Sequence, residues 1–327
     1  MNQEITQEEL KRVVEITNQI NSYYQGKVVG QPMLGYSLLV SLITNGHILL
    51  ESVPGLAKTT AARVMTEAVG GDFSRVQCTP DLLPSDIIGT QIYNMADNSF
   101  ETKKGPVFAN FVLLDEINRS SAKTQSAMLE AMQEKSVSIG GTTYDLPEVF
   151  IVIATQNPIE QEGTYILSEA QLDRFLLKEV INYPNVNDEI EILNRIEADV
   201  FSDTHTVSSI EDIVFLQGLC KRVYIAPQVK KYIVDIVQAT RMADRFLPPD
   251  LSGYVEMGAS TRAAIALMEV SKAVALLNGR NYVTPDDVKA LRYSVLRHRI
   301  SLNFAAIADG VKVEMIIDAI IGAVLAP

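Results

Sequence analysis

Lys58 and Thr59 close the segment Ser52-Val53-Pro54-Gly55-Leu56-Ala57-Lys58-Thr59-Thr60, which follows a short apolar run. A loop that cradles phosphate needs backbone N–H groups turned inward, a lysine for the β- and γ-phosphates, and a hydroxyl for magnesium. Lys58 and Thr59 supply the last two, at the start of a helix whose amino-terminal dipole favours anions. Both flanking glycines of the G-x-x-x-x-G-K-[ST] pattern are absent, replaced by Ser52 and Ala57. On this segment alone, a phosphate loop and an ordinary strand–turn–helix with a surface lysine are equally good readings.

A second cluster decides between them. Phe111-Val112-Leu113-Leu114-Asp115-Glu116 puts two carboxylates at the end of an apolar strand. In such a place the first helps to hold hydrated magnesium, and the second orients or deprotonates an attacking water. A strand ending in solvated acids is common, but open α/β sheets bind ligands at the carboxyl ends of their strands, where Lys58 also belongs. A third strand ends at Ala154-Thr155-Gln156-Asn157-Pro158 and offers Asn157 to the same crevice.

The elements that position these residues follow from periodicity. His47 to Leu50, Phe111 to Leu114 and Val149 to Ala154 read as buried parallel strands, with a further strand over Phe175 to Ile181. Helical stretches between them predict an α/β fold with a parallel sheet flanked by helices. Leu10, Val13, Val14 and Ile20 mark a leading amphipathic helix, and a second helix spans Gln31 to Ile43. Beyond about Asn187 the texture becomes helical. Pro227 starts one helix, and Thr284-Pro285-Asp286-Asp287 starts another, with Thr284 as cap and Val288, Leu291, Val295 and Leu296 as apolar stripe. The chain therefore divides into an α/β domain over 1–190 and a helical domain over 207–327. Ser136 to Pro147, with Gly140-Gly141 at its centre, reads as a β-hairpin.

Composition narrows the function. The 327 residues are 47% hydrophobic and 21% charged, as in a globular protein with an ample core, and the formal net charge is -12. An acidic surface repels phosphate backbones, which speaks against nucleic acid as the main partner. Two cysteines, Cys78 and Cys220, fit a reducing compartment, and three scattered histidines offer no metal-ligand spacing. Glu4, Glu8, Glu9 and Glu15 are foreign to a secretory signal, and Glu314 and Asp318 interrupt the apolar run near the carboxyl end. The expectation is a cytoplasmic protein without a transmembrane segment. Met128, Met132 and Phe246 are expected in the core, the cysteines buried, and His47 satisfied by packing.

Over nearly its whole length the sequence resembles the MoxR family of AAA+ ATPases. The matching stretches include Val29-Gly30-Gln31, Gly46-His47-Ile48-Leu49-Leu50-Glu51, Val53-Pro54-Gly55-Leu56-Ala57-Lys58-Thr59 and Leu114-Asp115-Glu116-Ile117-Asn118-Arg119. Further on come Ala154-Thr155-Gln156-Asn157-Pro158, Glu169-Ala170-Gln171-Leu172-Asp173-Arg174-Phe175, Gly258-Ala259-Ser260-Thr261-Arg262 and Tyr282-Val283-Thr284-Pro285-Asp286-Asp287-Val288. Each is weak alone; together they are specific.

The resemblance implies ATP and Mg2+ as cofactors, Asp115 and Glu116 as the Walker B pair, and Asn157 as sensor 1. It implies Arg174 as an arginine finger reaching a neighbouring subunit, Arg262 as sensor 2 from a helical lid, and Val28, Val29, Gly30 and Gln31 beside the adenine. Ser52, Val53, Pro54, Gly55, Leu56, Ala57, Lys58, Thr59 and Thr60 would wrap the phosphates, with Thr59 and Asp115 toward the metal. It implies as well a homo-oligomeric ring, a hexamer, and a protein partner carrying a von Willebrand factor A domain, served in a chaperone-like role. The inserts at about 80–99 and 136–147 would project toward the ring's pore or face. Ser52 departs from the family's glycine, and if that position needs φ > 0 it costs about 1–3 kcal/mol. Ile166 and Ser168 stand where the family has prolines, and Ser168 instead forms a capping box with Gln171. Two rivals remain on these grounds, a nucleotide-binding scaffold with little turnover and a DNA-remodelling motor.

Overall fold

Ile48–Leu50, Phe111–Leu114 and Ile151–Ala154 carry no polar side chain and are at most 1% exposed. Burial on both faces is what a sheet covered by helices on each side requires. In the computed structural model, which describes residues 4–53, 55–96, 98–158 and 165–327, these runs are the central strands of a five-stranded sheet. The strands in chain order are β1 (Ile48–Glu51), β2 (Phe73–Gln77), β3 (Gly89–Asn94), β4 (Ser99–Lys104), β5 (Phe111–Asp115), β6 (Ser136–Ile139), β7 (Thr142–Asp145), β8 (Ile151–Gln156) and β9 (Leu177–Val180). The sheet order is β2-β5-β8-β1-β9. Parallel registers set Gln77 opposite Asp115, Leu114 opposite Ala154, and Glu51 opposite Gln156, so the strand ends line up along one edge.

β2 escaped the sequence reading. Its residues Phe-Ser-Arg-Val-Gln form an edge strand in which only Val76 is buried, so no apolar run announces it. The other four strands form two antiparallel hairpins, β3 with β4 and β6 with β7. The β6–β7 turn has Gly140 at φ 58 and Gly141 at φ 83, the paired positive values of a tight hairpin turn. The hairpins meet where Thr102 and Tyr144 share a hydrogen bond of 3.1 Å.

Contacts divide the chain into two compact units, one over 18–174 and 179–214, the other over 1–17, 175–178 and 215–327. The sheet belongs to the first, except for Leu177 and Lys178 at the start of β9, which fall in the second. The second is otherwise helical, apart from a two-stranded ladder of β10 (Val255–Met257) and β11 (Ser301–Leu302). Its helix Pro285–Ala290 starts where Asp287 accepts from both the Thr284 N–H (2.7 Å) and hydroxyl (2.8 Å). Burial opposes ionisation of Asp287, but the Arg280 fork at 2.7 and 2.6 Å and these Thr284 bonds outweigh it, leaving its carboxyl below the ordinary range. Val288, Leu291, Val295 and Leu296 are buried, although the helix breaks at Leu291 and resumes over Arg292–Leu296. Met128 and Met132 are in the core; Phe246 is not, being 38% exposed in a short surface helix. Cys78 and Cys220 are free and buried, and burial pushes both thiols up to about 12. Among the described residues no helix is long and apolar enough to cross a membrane.

His47 is tied from both ring nitrogens. Nε2 lies 3.1 Å from the Met132 carbonyl, and Nδ1 accepts from the Val152 N–H at 3.0 Å, which fixes the neutral ring. Burial lowers its pKa from 6.5 to about 4, and burial likewise holds His298 well below 6.5. With folded values depressed, the unfolded chain takes up protons first. For His47 this stability is complete above pH 6.5 and is lost as pH falls toward about 4, at ~1.4 kcal/mol per pH unit, and His298 adds a loss of the same sign. The thermal midpoint should therefore drop through that window, and a flat profile there would contradict the two buried neutral rings.

Candidate active site

The site lies along the aligned strand ends. β1 finishes at Glu51, and the loop after it reaches the helix Lys58–Ala68 through two left-handed residues, Gly55 (φ 86) and Ala57 (φ 53). Ser52 is not left-handed, so the strain expected there is absent. Its N–H donates to the Gln156 carbonyl (3.2 Å) and its hydroxyl to the Val53 carbonyl (3.0 Å). Ala57 instead carries the non-glycine left-handed conformation, the rarer kind that persists only where surroundings enforce it. Pro54 lies outside the described residues.

Lys58 folds back so that Nζ is 3.4 Å from the Ser52 carbonyl and 3.3 Å from that of Val53. Burial lowers its pKa from the ordinary lysine value, opposed by the charges of Asp115 and Glu116. A lysine turned onto the carbonyls of its own loop, and facing the charges of Asp115 and Glu116, can swing toward an anion.

The acids sit in a closed circuit of hydrogen bonds. The Thr155 hydroxyl donates to Asp115 Oδ1 (2.8 Å) and accepts from the Glu116 N–H (2.8 Å). Glu116 Oε2 accepts from Gln77 Nε2 (3.0 Å) and from Arg119 (2.8 Å). Arg75 Nη2 reaches Gln77 Oε1 (3.3 Å) and Asp115 Oδ2 (2.6 Å), completing the circuit. Glu116 itself is left-handed at φ 58, a costly conformation for glutamate that its Thr155 anchor helps to hold. Sequence reasoning missed Arg75, Gln77 and Arg119. The signal for the first two was their period-two spacing about Val76, which puts both on one face of a strand.

One cavity of ≈ 630 Å³ gathers Val28, Val29, Gly55, Leu56, Ala57, Lys58, Thr59, Thr60, Asp115 and Glu116. Arg75 and Gln77 line it too, and Ile192, Ile196 and Phe201 supply an apolar wall that no motif announces. Gly30, Gln31, Ser52, Val53, Asn157, Arg174 and Arg262 are not on its lining. Gly30 (φ 71) is packed so closely that an added Cβ would stand 2.9 Å from Asp188 Oδ2, and Gln31 donates to the Asn182 carbonyl at 3.1 Å. Asn157 is buried directly after β8. Arg174 follows the short helix Glu169–Leu172, whose Ser168–Gln171 box closes with a 2.8 Å bond, and its Nε is buried without a hydrogen-bond partner among the described residues. Arg262 belongs to the other unit, in the first turn of Thr261–Leu277, where Ser260 caps its N–H at 3.0 Å.

The parallel sheet, with a lysine-bearing loop after one strand and an acidic pair after its neighbour but one, defines a P-loop ATPase of the AAA class. Residues 47–177 match the model of the ATPase family associated with various cellular activities (AAA), and residues 251–320 that of the AAA lid domain. The chain is 45% identical to Chaperone MoxR1 of Mycobacterium tuberculosis over 92% of its own length and 79% of that protein's. It is 45% identical to the uncharacterized protein YeaC of Bacillus subtilis (92% and 91%) and 31% identical to protein MoxR of Paracoccus denitrificans (85% and 86%). A crystal structure from Cytophaga hutchinsonii, described as a candidate ATPase, superposes with a TM-score of 0.92 at 45% identity, covering 98% of this chain and 97% of that one. The chain belongs to the MoxR family of AAA ATPases.

Proposed function

We propose that the chain hydrolyses Mg2+-bound ATP at the interfaces of a ring, a hexamer, and spends each cycle on remodelling a partner protein. The observation that carries this reading is the single cavity in which Lys58, Thr59, Asp115 and Glu116 converge beside an apolar wall of Val28, Ile192, Ile196 and Phe201. The apolar wall suits a purine, and the polar end suits its phosphates. A hydroxyl and a carboxylate are hard oxygen donors, so the residues present fit magnesium. Thr59 and Asp115 would hold it, and when bound it neutralises phosphate charge. Lys58 and the N–H groups of the loop bind phosphate oxygens, Glu116 takes a proton from the attacking water, and Asn157 helps to orient it. Arg174 acts on the site of a neighbouring subunit, and Arg262 acts from the lid. Of the Val28 to Gln31 segment, Val28 and Val29 line the cavity and flank the adenine, with Gly30 and Gln31 next along the chain.

We divide the labour between a nucleotide domain over 1–190 and a lid over 207–327. A chaperone among the relatives supports a protein as the object of the work, and a von Willebrand factor A domain is the partner type we favour. The net charge of -12 supports a protein over a nucleic acid as that partner, and the cytoplasm is the compartment we favour. The test is ATP turnover per subunit against protein concentration. Specific activity should climb as subunits associate and then level off. Turnover per subunit that is the same at every concentration counts against a shared site.

A further inference from the structure

We infer that Arg75 is a built-in cation that occupies the metal side of Asp115 and must be displaced when a divalent metal arrives. This rests on the reading of the cavity as a Mg2+–nucleotide site. Both oxygens of Asp115 are engaged, Oδ1 by Thr155 and Oδ2 by Arg75. A metal held directly by Asp115 coordinates one of them, and a positive charge already on that oxygen opposes it. The Thr155 bond is the harder to give up, because Thr155 is fully buried and its hydroxyl also anchors the Glu116 backbone. Arg75 is the one that yields: its side chain is 47% exposed, it stands on the edge strand β2, and a long arm carries it. A guanidinium 2.6 Å from Oδ2 and a dication on the same oxygen exclude each other by charge and by space. Arg75 and Thr59 both line the cavity, so the freed guanidinium remains at the same cavity as the phosphates would, and its planar fork suits them.

Arg75 therefore sets how much metal the site needs, acting on the metal through Asp115 as a positioning residue. An exposed ion pair of this kind shifts a competing equilibrium by about 2- to 5-fold. The experiment uses the full chain saturated with a fluorescent ADP and titrated with Mn2+, the free metal being read by electron paramagnetic resonance. Arg75→Ala should reach half-saturation at about 2- to 5-fold less Mn2+ than wild type, with Arg75→Lys near wild type. Thermal melting accompanies each titration, and Arg75→Gln carries the same expectation should the alanine variant fold poorly. A half-saturation point that stays put or rises in the neutral variants, with ADP bound normally, overturns the inference alone. Failure of the wild type to bind ADP with or without metal overturns the nucleotide reading and the inference with it.

Discussion

Glu116→Gln is expected to lower ATP turnover by about 10²- to 10⁴-fold while nucleotide still binds. The substitution is nearly isosteric and removes the basic oxygen without removing a hydrogen-bond acceptor. The backbone at Glu116 is held independently of the side chain, by the N–H bond to Thr155 at 2.8 Å, so the left-handed turn survives the exchange. The amide oxygen can still accept from Gln77. The Arg119 contact weakens, but both members of that pair keep some exposure (44% and 19%), and such pairs contribute only about 0–1 kcal/mol. A large kinetic loss beside an unchanged melting temperature therefore separates proton transfer from structure. Single-turnover hydrolysis and binding of a fluorescent nucleotide, run on the same preparation, read the two quantities. Turnover that survives the exchange would remove Glu116 from the chemistry and return the chain to a nucleotide-binding scaffold.

The parts of this site that were legible in the sequence share one property: their neighbours in sequence are also their neighbours in space. Phe111–Asp115 and Ile151–Gln156 are strands that run directly into Glu116 and Asn157, so the apolar run and its polar terminus could be read together. Arg75 and Gln77 were hidden because β2 lies at the sheet edge. Four of its five residues keep contact with solvent, and Phe-Ser-Arg-Val-Gln has no pattern that outweighs its flanks. The apolar wall was hidden for the opposite reason. Ile192 and Ile196 lie on the helix Val186–Glu197, none of whose residues is buried, and only the three-dimensional path brings them to the loop. Ser52 shows the limit of reading a motif by position. The pattern marks a glycine there, but the positive φ that glycine eases falls at Gly55 and Ala57. A missing glycine signals strain only where the backbone turns left-handed.

Arg174→Ala is expected to reduce turnover by about 10³- to 10⁵-fold, the contribution of an arginine that stabilises charge on a transferring phosphoryl group. Its backbone is fixed from both directions. Ser168 and Gln171 cap the helix before it, and the next residue, Phe175, is fully buried with its carbonyl accepting from Arg299 at 2.7 Å. Its Nε is buried yet finds no hydrogen-bond partner among the described residues, and a buried donor left unmade costs about 1–3 kcal/mol. A partner supplied by an adjoining subunit would repay that cost. The kinetic loss alone does not locate the residue's target, because a cis arginine could cost as much. Mixing does. An Arg174→Ala subunit retains its own Glu116, and a Glu116→Gln subunit retains Arg174, so neither homomeric assembly holds a complete site if the arginine works in trans. In a mixed ring, every Arg174→Ala site that faces the intact arginine of a Glu116→Gln neighbour is complete. Turnover should then return on mixing two inactive proteins, in proportion to the frequency of that pairing. If Arg174 serves the Glu116 of its own chain, no pairing repairs either subunit, and the mixture stays as inactive as its parts.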